Sequence, residues 1–378
     1  MQSNLFELTV FELNMKKLPS EARINNAVVN FQLSTFNFQL INMTPLLGRT
    51  LTELKEIAQQ AGLPAFTGKQ IADWLYKKHV TSIDQMTNIS VKGRDALKAN
   101  YCVGISEPIW SAASVDGTKK YLFQTAHGQI ETVFIPEDDR GTLCVSCQVG
   151  CKMNCQFCMT GKQGWSGSLT SAEIMNQICG IPEVDKLTNI VFMGMGEPFD
   201  NTLEILRTCE ILTADWGFAW SPRRITVSSV GLIPGMKEFL SKTECHLAIS
   251  LHNPFPDERA KIMPAEKAYS ITRVIEEIKK YDWEHQRRIS FEYIVFEGIN
   301  DMQRHASELV RMLKGFTCRV NLIRWHAIPG MDMHSPDDER MIWLRDYLTS
   351  NGVICTIRRS RGEDIMAACG LLSSNHKH

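Results

Sequence analysis

No stretch of this 378-residue chain approaches the roughly 20 uncharged apolar residues that a membrane-spanning helix needs. The first residues also lack the basic region, apolar core and small-residue cleavage site of a secretory leader. Both gaps argue for a cytoplasmic protein that does not engage membranes. Excess charge is missing too: 41 Lys and Arg stand against 42 Asp and Glu, a formal net charge of -1. A polyanion would therefore have to be held by a local basic patch, because the global charge attracts none.

At roughly 100 to 200 residues per domain, the length suggests about two domains, or one barrel-sized domain with an appendage. A composition of 44% apolar and 22% charged residues supports a large core and excludes collagen-like, low-complexity and wholly disordered chains. Residues 1–42 contain no glycine and are rich in Asn and Phe. They are expected to be a poorly specified tail, an over-extended gene start with Met15 and Met43 as internal alternatives. From Thr50 the pattern turns helical. Leu51, Leu54, Ile57 and Ala58 recur at helix spacing, Gly62 and Pro64 end the run, and a second helix fits 68–79. Residues 43–104 are thus expected to form a small helical accessory domain with a mild basic bias, compatible with RNA contact or with a solvated surface.

Residues 105–140 alternate β-type runs with Asp116-Gly117 and His127-Gly128 turns, which predicts an antiparallel meander. A strand-then-helix rhythm follows. Strands are predicted at 143–148, 189–193, 224–228, 246–250, 289–295 and 319–323, with a helix after each and a last strand at 353–358. Six such units over 141–372 predict an α/β fold, a partial or complete parallel (βα) barrel with chemistry at the C-terminal strand ends.

Twelve cysteines in a reducing compartment are poor disulfide candidates, so their spacing carries the information. Cys151-Lys-Met-Asn-Cys155-Gln-Phe-Cys158 falls in the loop after the first barrel strand. Structural zinc prefers four ligands, usually as two separated pairs, and no second pair is spaced for it. Three thiolates on one loop suit an iron–sulfur cluster that leaves one iron open. That open iron can chelate S-adenosylmethionine, and electron transfer then cleaves the sulfonium to a 5′-deoxyadenosyl radical. The CxxxCxxC spacing resembles the radical-SAM superfamily, and Gly194-Met195-Gly196-Glu197-Pro198 resembles its glycine-rich methionine-binding motif.

Four motifs taken together narrow the likeness. Cys144-Val-Ser-Cys147-Gln-Val-Gly-Cys151, the Gly194–Pro198 stretch, Ser250-Leu251-His252 and Arg361-Gly-Glu-Asp-Ile-Met-Ala-Ala-Cys369-Gly together resemble the RlmN/Cfr family of radical-SAM adenosine methyltransferases, from about Met43 to Leu372. The resemblance implies a [4Fe-4S] cluster on Cys151, Cys155 and Cys158, with S-adenosylmethionine held by Gly196, Glu197, Ser229, Ser250, Leu251, His252 and His326. It implies methylation of C2 of an adenosine in 23S ribosomal RNA, and in tRNA beside the anticodon. Adenine C2 is an electrophilic carbon that cannot attack a sulfonium methyl group, so a carbon radical must be delivered to it. In the family a cysteine matching Cys369 is methylated by one S-adenosylmethionine, and radical chemistry from a second joins that carbon to C2. The cysteine matching Cys144 then resolves the bridge as a disulfide, and Glu131 matches the proton acceptor.

The resemblance also implies an electron donor such as a flavodoxin or ferredoxin, and a monomer. Departures are visible. Cys147 stands where serine is expected, Val230 stands where a ligand-binding serine is frequent so that Ser229 or a backbone group would substitute, and His326 stands where asparagine is common. Cys102, Cys179, Cys209, Cys245, Cys318 and Cys355 are expected to be small buried hydrophobes. Arg223-Arg224, Arg287-Arg288 and Arg358-Arg359 with Arg361 are candidate phosphate contacts. Two alternatives remain open: C8 methylation of the same base, the Cfr-type activity, and a noncatalytic RNA-binding protein with structural zinc.

Overall fold

The structure, a computed structural model, describes residues 43–283 and 287–373. The expected tail over 1–42 lies outside the described residues. The described chain enters through β1 (Thr44–Pro45), α1 (Leu51–Gln60), α2 (Thr67–Tyr76), α3 (Val91–Lys98) and β2 (Tyr101–Cys102), with β1 and β2 paired in parallel. Helix α1 starts where the sequence caps it. The Thr50 hydroxyl accepts the Glu53 N–H and the Glu53 carboxylate accepts the Thr50 N–H, while Leu54, Ile57 and Ala58 turn inward at helix spacing.

Strands β3 (Trp110–Ala113), β4 (Lys119–Thr125) and β5 (Gly128–Pro136) form the expected meander, followed by β6 (Gly141–Cys144). Next come β7 (Gln148–Gly150), the short α4 (Met159–Lys162) and β8 (Trp165–Ser168). The remaining units run α5 (Ser171–Cys179), β9 (Asn189–Phe192), α6 (Thr202–Thr213), β10 (Ile225–Ser229), α7 (Ile233–Lys242) and β11 (His246–Ser250). After α8 (Pro256–Ile262) and α9 (Ile271–Ile278) come β12 (Ile289–Val295), α10 (Gln303–Leu313), β13 (Arg319–Arg324), α11 (Asp338–Ser350) and β14 (Ile354–Ile357).

Among the described residues, ten strands share one sheet in the order β14-β13-β12-β11-β10-β9-β6-β5-β4-β3. Pairing is parallel from β14 to β6 and antiparallel from β6 to β3, so the meander extends the barrel sheet instead of standing beside it. With edges at β14 and β3 the barrel is partial. Its central strands carry continuous apolar runs such as Leu247-Ala248-Ile249, as parallel strands covered on both faces require.

One predicted strand is corrected. The run 143–148 is not continuous: β6 stops at Cys144, and the chain re-pairs as β7 with β8 in a separate two-stranded sheet. Ser146 is the cause. Its hydroxyl donates to the Glu131 carbonyl at 2.6 Å and accepts the Met195 N–H at 2.9 Å, so tertiary partners displace the ladder.

Candidate active site

The C-terminal ends of β9 to β13 converge on one cavity of about 150 Å³. Its wall holds Gly194, Gly196 and Glu197 after β9, Ser229 and Val230 at β10, Ser250 and His252 at β11, Glu292 and Ile294 on β12, and Ile323 on β13. Cys151, Cys155 and Cys158 complete it together with Cys369 from the C-terminal segment. A loop some 200 residues upstream thus meets the last motif of the sequence at one place.

The glycines are steric requirements. Gly196 has φ +102°, and a Cβ there would lie 2.6 Å from the Gln148 Cβ and 2.8 Å from its backbone nitrogen. Glu197 is buried, which pushes its carboxyl up to about 7, although it accepts bonds from the Ser229 hydroxyl and from the Val230 and Phe199 N–H groups at 2.9 and 3.0 Å. His252 is buried with φ +53°. Its Nδ1 accepts the Ile294 N–H at 2.9 Å, so the other ring nitrogen carries the proton of the neutral form. Burial and the nearby Arg259 charge push its pKa down to about 3. The Phe157 ring meets the imidazole edge-on at 4.8 Å.

The three loop cysteines are electrostatically coupled. Burial pushes Cys151 up to about 12, with the Cys158 charge adding to the rise; burial also raises Cys155, and Cys158 and Cys151 add to it while Arg259 opposes. The Cys151 and Cys155 thiols therefore ionise only with a compensating cation, which is what an iron cluster supplies. Among the described residues no three His, Cys, Asp or Glu side chains converge on a single metal ion. A cubane cluster spreads its ligands more widely than one zinc ion does, and its donor set is all-thiolate. The three cysteines fit it.

Cys369 also lines a second cavity of about 340 Å³, whose wall includes Arg140, Arg319, His326, Arg358, Arg359 and Arg361. Met193, Glu292 and Ile323 border both cavities. The Cys369 residue is exposed to solvent yet surrounded by protein mass that raises its thiol pKa; the Arg358 charge lowers it and Glu292 raises it. Cys144 is buried behind it, within electrostatic reach, its pKa raised first by burial and then by Cys369.

Several expected residues stand elsewhere. Leu251 packs its side chain in the core and turns its carbonyl to Arg259. His326 faces the second cavity and meets Ser360 at 3.2 Å and Glu363 at 3.6 Å, away from the cysteine loop. Glu131 lines neither cavity and is ion-paired to Lys120, with both side chains buried. Arg223-Arg224 and Arg287-Arg288 precede β10 and β12, at the strand ends opposite the site, and Arg287 is buried, donating to the Leu240 carbonyl. Cys102 is only half-buried; Cys179, Cys209, Cys245, Cys318 and Cys355 are buried, as is Cys147.

Sequence reasoning missed three residues. Glu292 borders both cavities, with Oε1 accepting from Ser290 and Asn321 at 2.8 Å. Arg259 lies fully buried beneath the first cavity, donating to the carbonyls of Leu251, Val230 and Ser250 at 2.9, 2.9 and 2.7 Å and pairing with Glu266. Lys120 is the third. A carboxylate at Glu292 in the middle of the largely apolar strand predicted at 289–295 was a usable signal; nothing local marks the other two.

Residues 145–310 match the Radical SAM superfamily, and residues 44–103 match the ribosomal RNA large subunit methyltransferase N-terminal domain. A probable dual-specificity RNA methyltransferase RlmN of Phocaeicola vulgatus is 60% identical over 332 residues, covering 88% of this chain and 95% of the relative. The chain belongs to the RlmN family. A dual-specificity RNA methyltransferase RlmN of Desulfotalea psychrophila, 40% identical over 337 residues, spans 85% of this chain and 93% of its own. The crystal structure of a radical SAM methyltransferase from Sphaerobacter thermophilus superposes with a TM-score of 0.83 at 37% identity, covering 88% of this chain and all of that one. As an RlmN-family member the chain is a radical-SAM RNA methyltransferase, and a [4Fe-4S] cluster and S-adenosylmethionine follow from the family. No described helix is long and apolar enough to cross a membrane.

Proposed function

We propose that this RlmN-family enzyme methylates C2 of an adenosine in 23S ribosomal RNA, and of an adenosine beside the anticodon in tRNA, with the methyl group carried on Cys369. One observation carries the reading: Cys369 lines both the cysteine-lined cavity and the arginine-lined one. A methyl carrier has to face its donor on one side and RNA on the other.

Cys151, Cys155 and Cys158 would hold the cluster, with Gly196, Glu197, Ser229, Ser250 and His252 around S-adenosylmethionine. When bound, the pair supplies one-electron reductive cleavage of the sulfonium and hence hydrogen-atom abstraction. Glu197 accepts from the donor's ammonium, and His252 offers a fixed N–H. The Cys369 sulfur takes a methyl group, and that carbon is later joined to C2 of an adenine extruded into the second cavity. Arg358, Arg359 and Arg361 hold the flanking phosphates. Glu131, which lines neither cavity while the segment around Cys369 is docked, takes the C2 proton once Ser373 moves off its carboxylate. The Cys144 thiolate attacks the Cys369 sulfur, forming an S–S bond as the carbon–sulfur bond breaks; the released carbon keeps the electron pair and takes a proton to become the methyl group, and a dithiol reductant returns the disulfide to two thiols before the next turnover. The electron donor is a flavodoxin or ferredoxin, and the enzyme works as a cytoplasmic monomer.

The reading is tested by trapping. Cys144→Ala should accumulate a covalent protein–RNA adduct on denaturing gels, whereas Cys369→Ala should give neither adduct nor methylated RNA. Methylation by the Cys369 variant would refute the carrier role. Mass spectrometry of digested RNA should show 2-methyladenosine; 8-methyladenosine would overturn the regiochemistry. Stoichiometric zinc without sulfide in anaerobically purified protein would end the radical scheme.

A further inference from the structure

The segment that carries Cys369 has little regular structure of its own. Among its described residues after β14 there is a single 3-10 turn, Glu363–Ile365, with Gly362, Met366 and Gly370 in left-handed conformations at φ 63°, 54° and 84°. Its shape is therefore set by what grips it. The hairpin between β3 and β4 takes hold early, where the Asp116 carboxylate accepts the Gly362 N–H at 3.0 Å. The turn after Cys158 takes hold late, the Met159 N–H donating to the Gly370 carbonyl at 2.8 Å and the Thr160 hydroxyl to the Leu372 carbonyl at 2.7 Å.

Between them acts one buried ion pair. Lys120 on β4 pairs in register with Val133, and Glu131 on β5 pairs with Leu122, so the two side chains meet diagonally on one face of the ladder. Lys120 Nζ lies 2.8 Å from Glu131 Oε1, with the side chains 3% and 1% exposed. The same Nζ donates to the Met366 carbonyl at 3.3 Å, and Glu131 Oε2 accepts the Ser373 N–H at 2.8 Å. The pair thus reaches the chain on both sides of Cys369. Two charges this deep persist only when attraction and further hydrogen bonds offset their lost hydration. The backbone at Met366 and Ser373 supplies those bonds, so pair and segment dock as a unit.

We propose that Lys120 is a positioning residue: with Glu131 it clasps the Cys369 segment from both ends and keeps the thiol in the wall shared by the two cavities. This rests on the reading of Cys369 as methyl carrier. While the segment is docked, Glu131 Oε2 is capped by the Ser373 N–H; undocking the segment uncaps the carboxylate that would receive the RNA proton.

Hydrogen exchange on the reconstituted full-length protein tests the clasp in Lys120→Met and in Lys120→Met/Glu131→Gln, the double variant removing both charges so that folding does not depend on an unpaired carboxylate. Amides of 366–373 should exchange about tenfold faster in both variants, while those of β9 and β11 stay within about twofold. In Lys120→Met, kcat for RNA methylation should fall about tenfold with KM for RNA within about twofold, since the phosphate-binding cavity is untouched. Wild-type exchange at 366–373 in both variants overturns the proposal. So does a uniform rise across the barrel strands, which would make the pair a general stabiliser. If exchange rises locally while intact mass never finds a methyl group on Cys369 of the parent enzyme, the clasp stands and the carrier reading falls.

Discussion

Replacing Arg259 with methionine should destabilise the barrel by at least about 3 kcal/mol, the lower end for breaking a buried ion pair from one side. The guanidinium is fully buried and ties three carbonyls, those of Val230, Ser250 and Leu251, to the Glu266 carboxylate. Methionine restores volume and nothing polar. The Leu251 carbonyl keeps the Asn253 N–H at 2.6 Å, the Val230 and Ser250 carbonyls add on the order of 1 kcal/mol each, and Glu266 keeps only the Ile271 N–H at 3.0 Å as compensation. Against a total stability of roughly 5–15 kcal/mol, this is a large fraction. At about 2–4 °C per kcal/mol for a domain of this size, the ion pair alone lowers Tm by roughly 6–12 °C, and the two carbonyls bring the drop to roughly 10–20 °C. Urea denaturation followed by circular dichroism at neutral pH measures it. A second change, Glu266→Gln in the Arg259→Met background, removes the orphaned charge and should restore about 1–2 kcal/mol. A single variant within 1 kcal/mol of the parent, or no recovery in the double variant, would refute the account of Arg259 as a buried brace beneath the cofactor cavity.

Three further outcomes are expected. Gly196→Ala should weaken S-adenosylmethionine binding at least about tenfold in calorimetry, because the new Cβ is forced against the Gln148 backbone at 2.8 Å in a left-handed conformation worth about 1–2 kcal/mol of strain; unchanged affinity would show that the β9 turn does not shape the cavity. Burial alone would raise the Asp116 carboxyl, but hydrogen bonds from Thr118 and Gly362 win and bring it from 3.8 down to about 2. Its contribution is therefore complete above pH 3.8 and lost as pH falls through about 2, so the penalty of Asp116→Asn, about 1 kcal/mol after solvent screening, should shrink across that window in urea midpoints. Ile323→Ala opens the wall between the cavities and admits water. S-adenosylmethionine consumed per methylated adenosine should rise about twofold or more, and an unchanged ratio would mean that Ile323 seals nothing.

The sequence made the parallel strands legible because their burial on both faces writes apolar runs that need no partner to be recognised, as in Leu247-Ala248-Ile249 and in the stretch around Phe291 and Tyr293. The cysteine loop was legible for a chemical reason: three thiols at fixed spacing are rare and have few uses. What the sequence left open were directions. A motif position tells which residue stands after a strand, but not which way it points, so Leu251 went to the core and His326 to the neighbouring cavity. The break after Cys144 was hidden because Val145 and Val149 extend the apolar run, while the polar bonds of Ser146 that end the strand come from Glu131 and Met195, far along the chain. Lys120 grips Met366 across 246 residues, and no local periodicity encodes such a partner.

These hidden contacts share a purpose. In the proposed reaction the legible residues supply the chemistry, three thiols for a cluster and one for a methyl group, and each could be read alone because its side chain defines what it can do. The illegible ones fix where those atoms stand. Arg259 holds the ends of β10 and β11 at the cofactor cavity, and the pair Lys120–Glu131 meets the segment on either side of Cys369. A sulfur that must face two cavities in turn is most useful on a segment with little structure of its own, because a helix or strand would commit its side chain to one face. That freedom leaves the segment dependent on side chains from other elements for its docked shape, and such dependence can be seen only once the chain is folded.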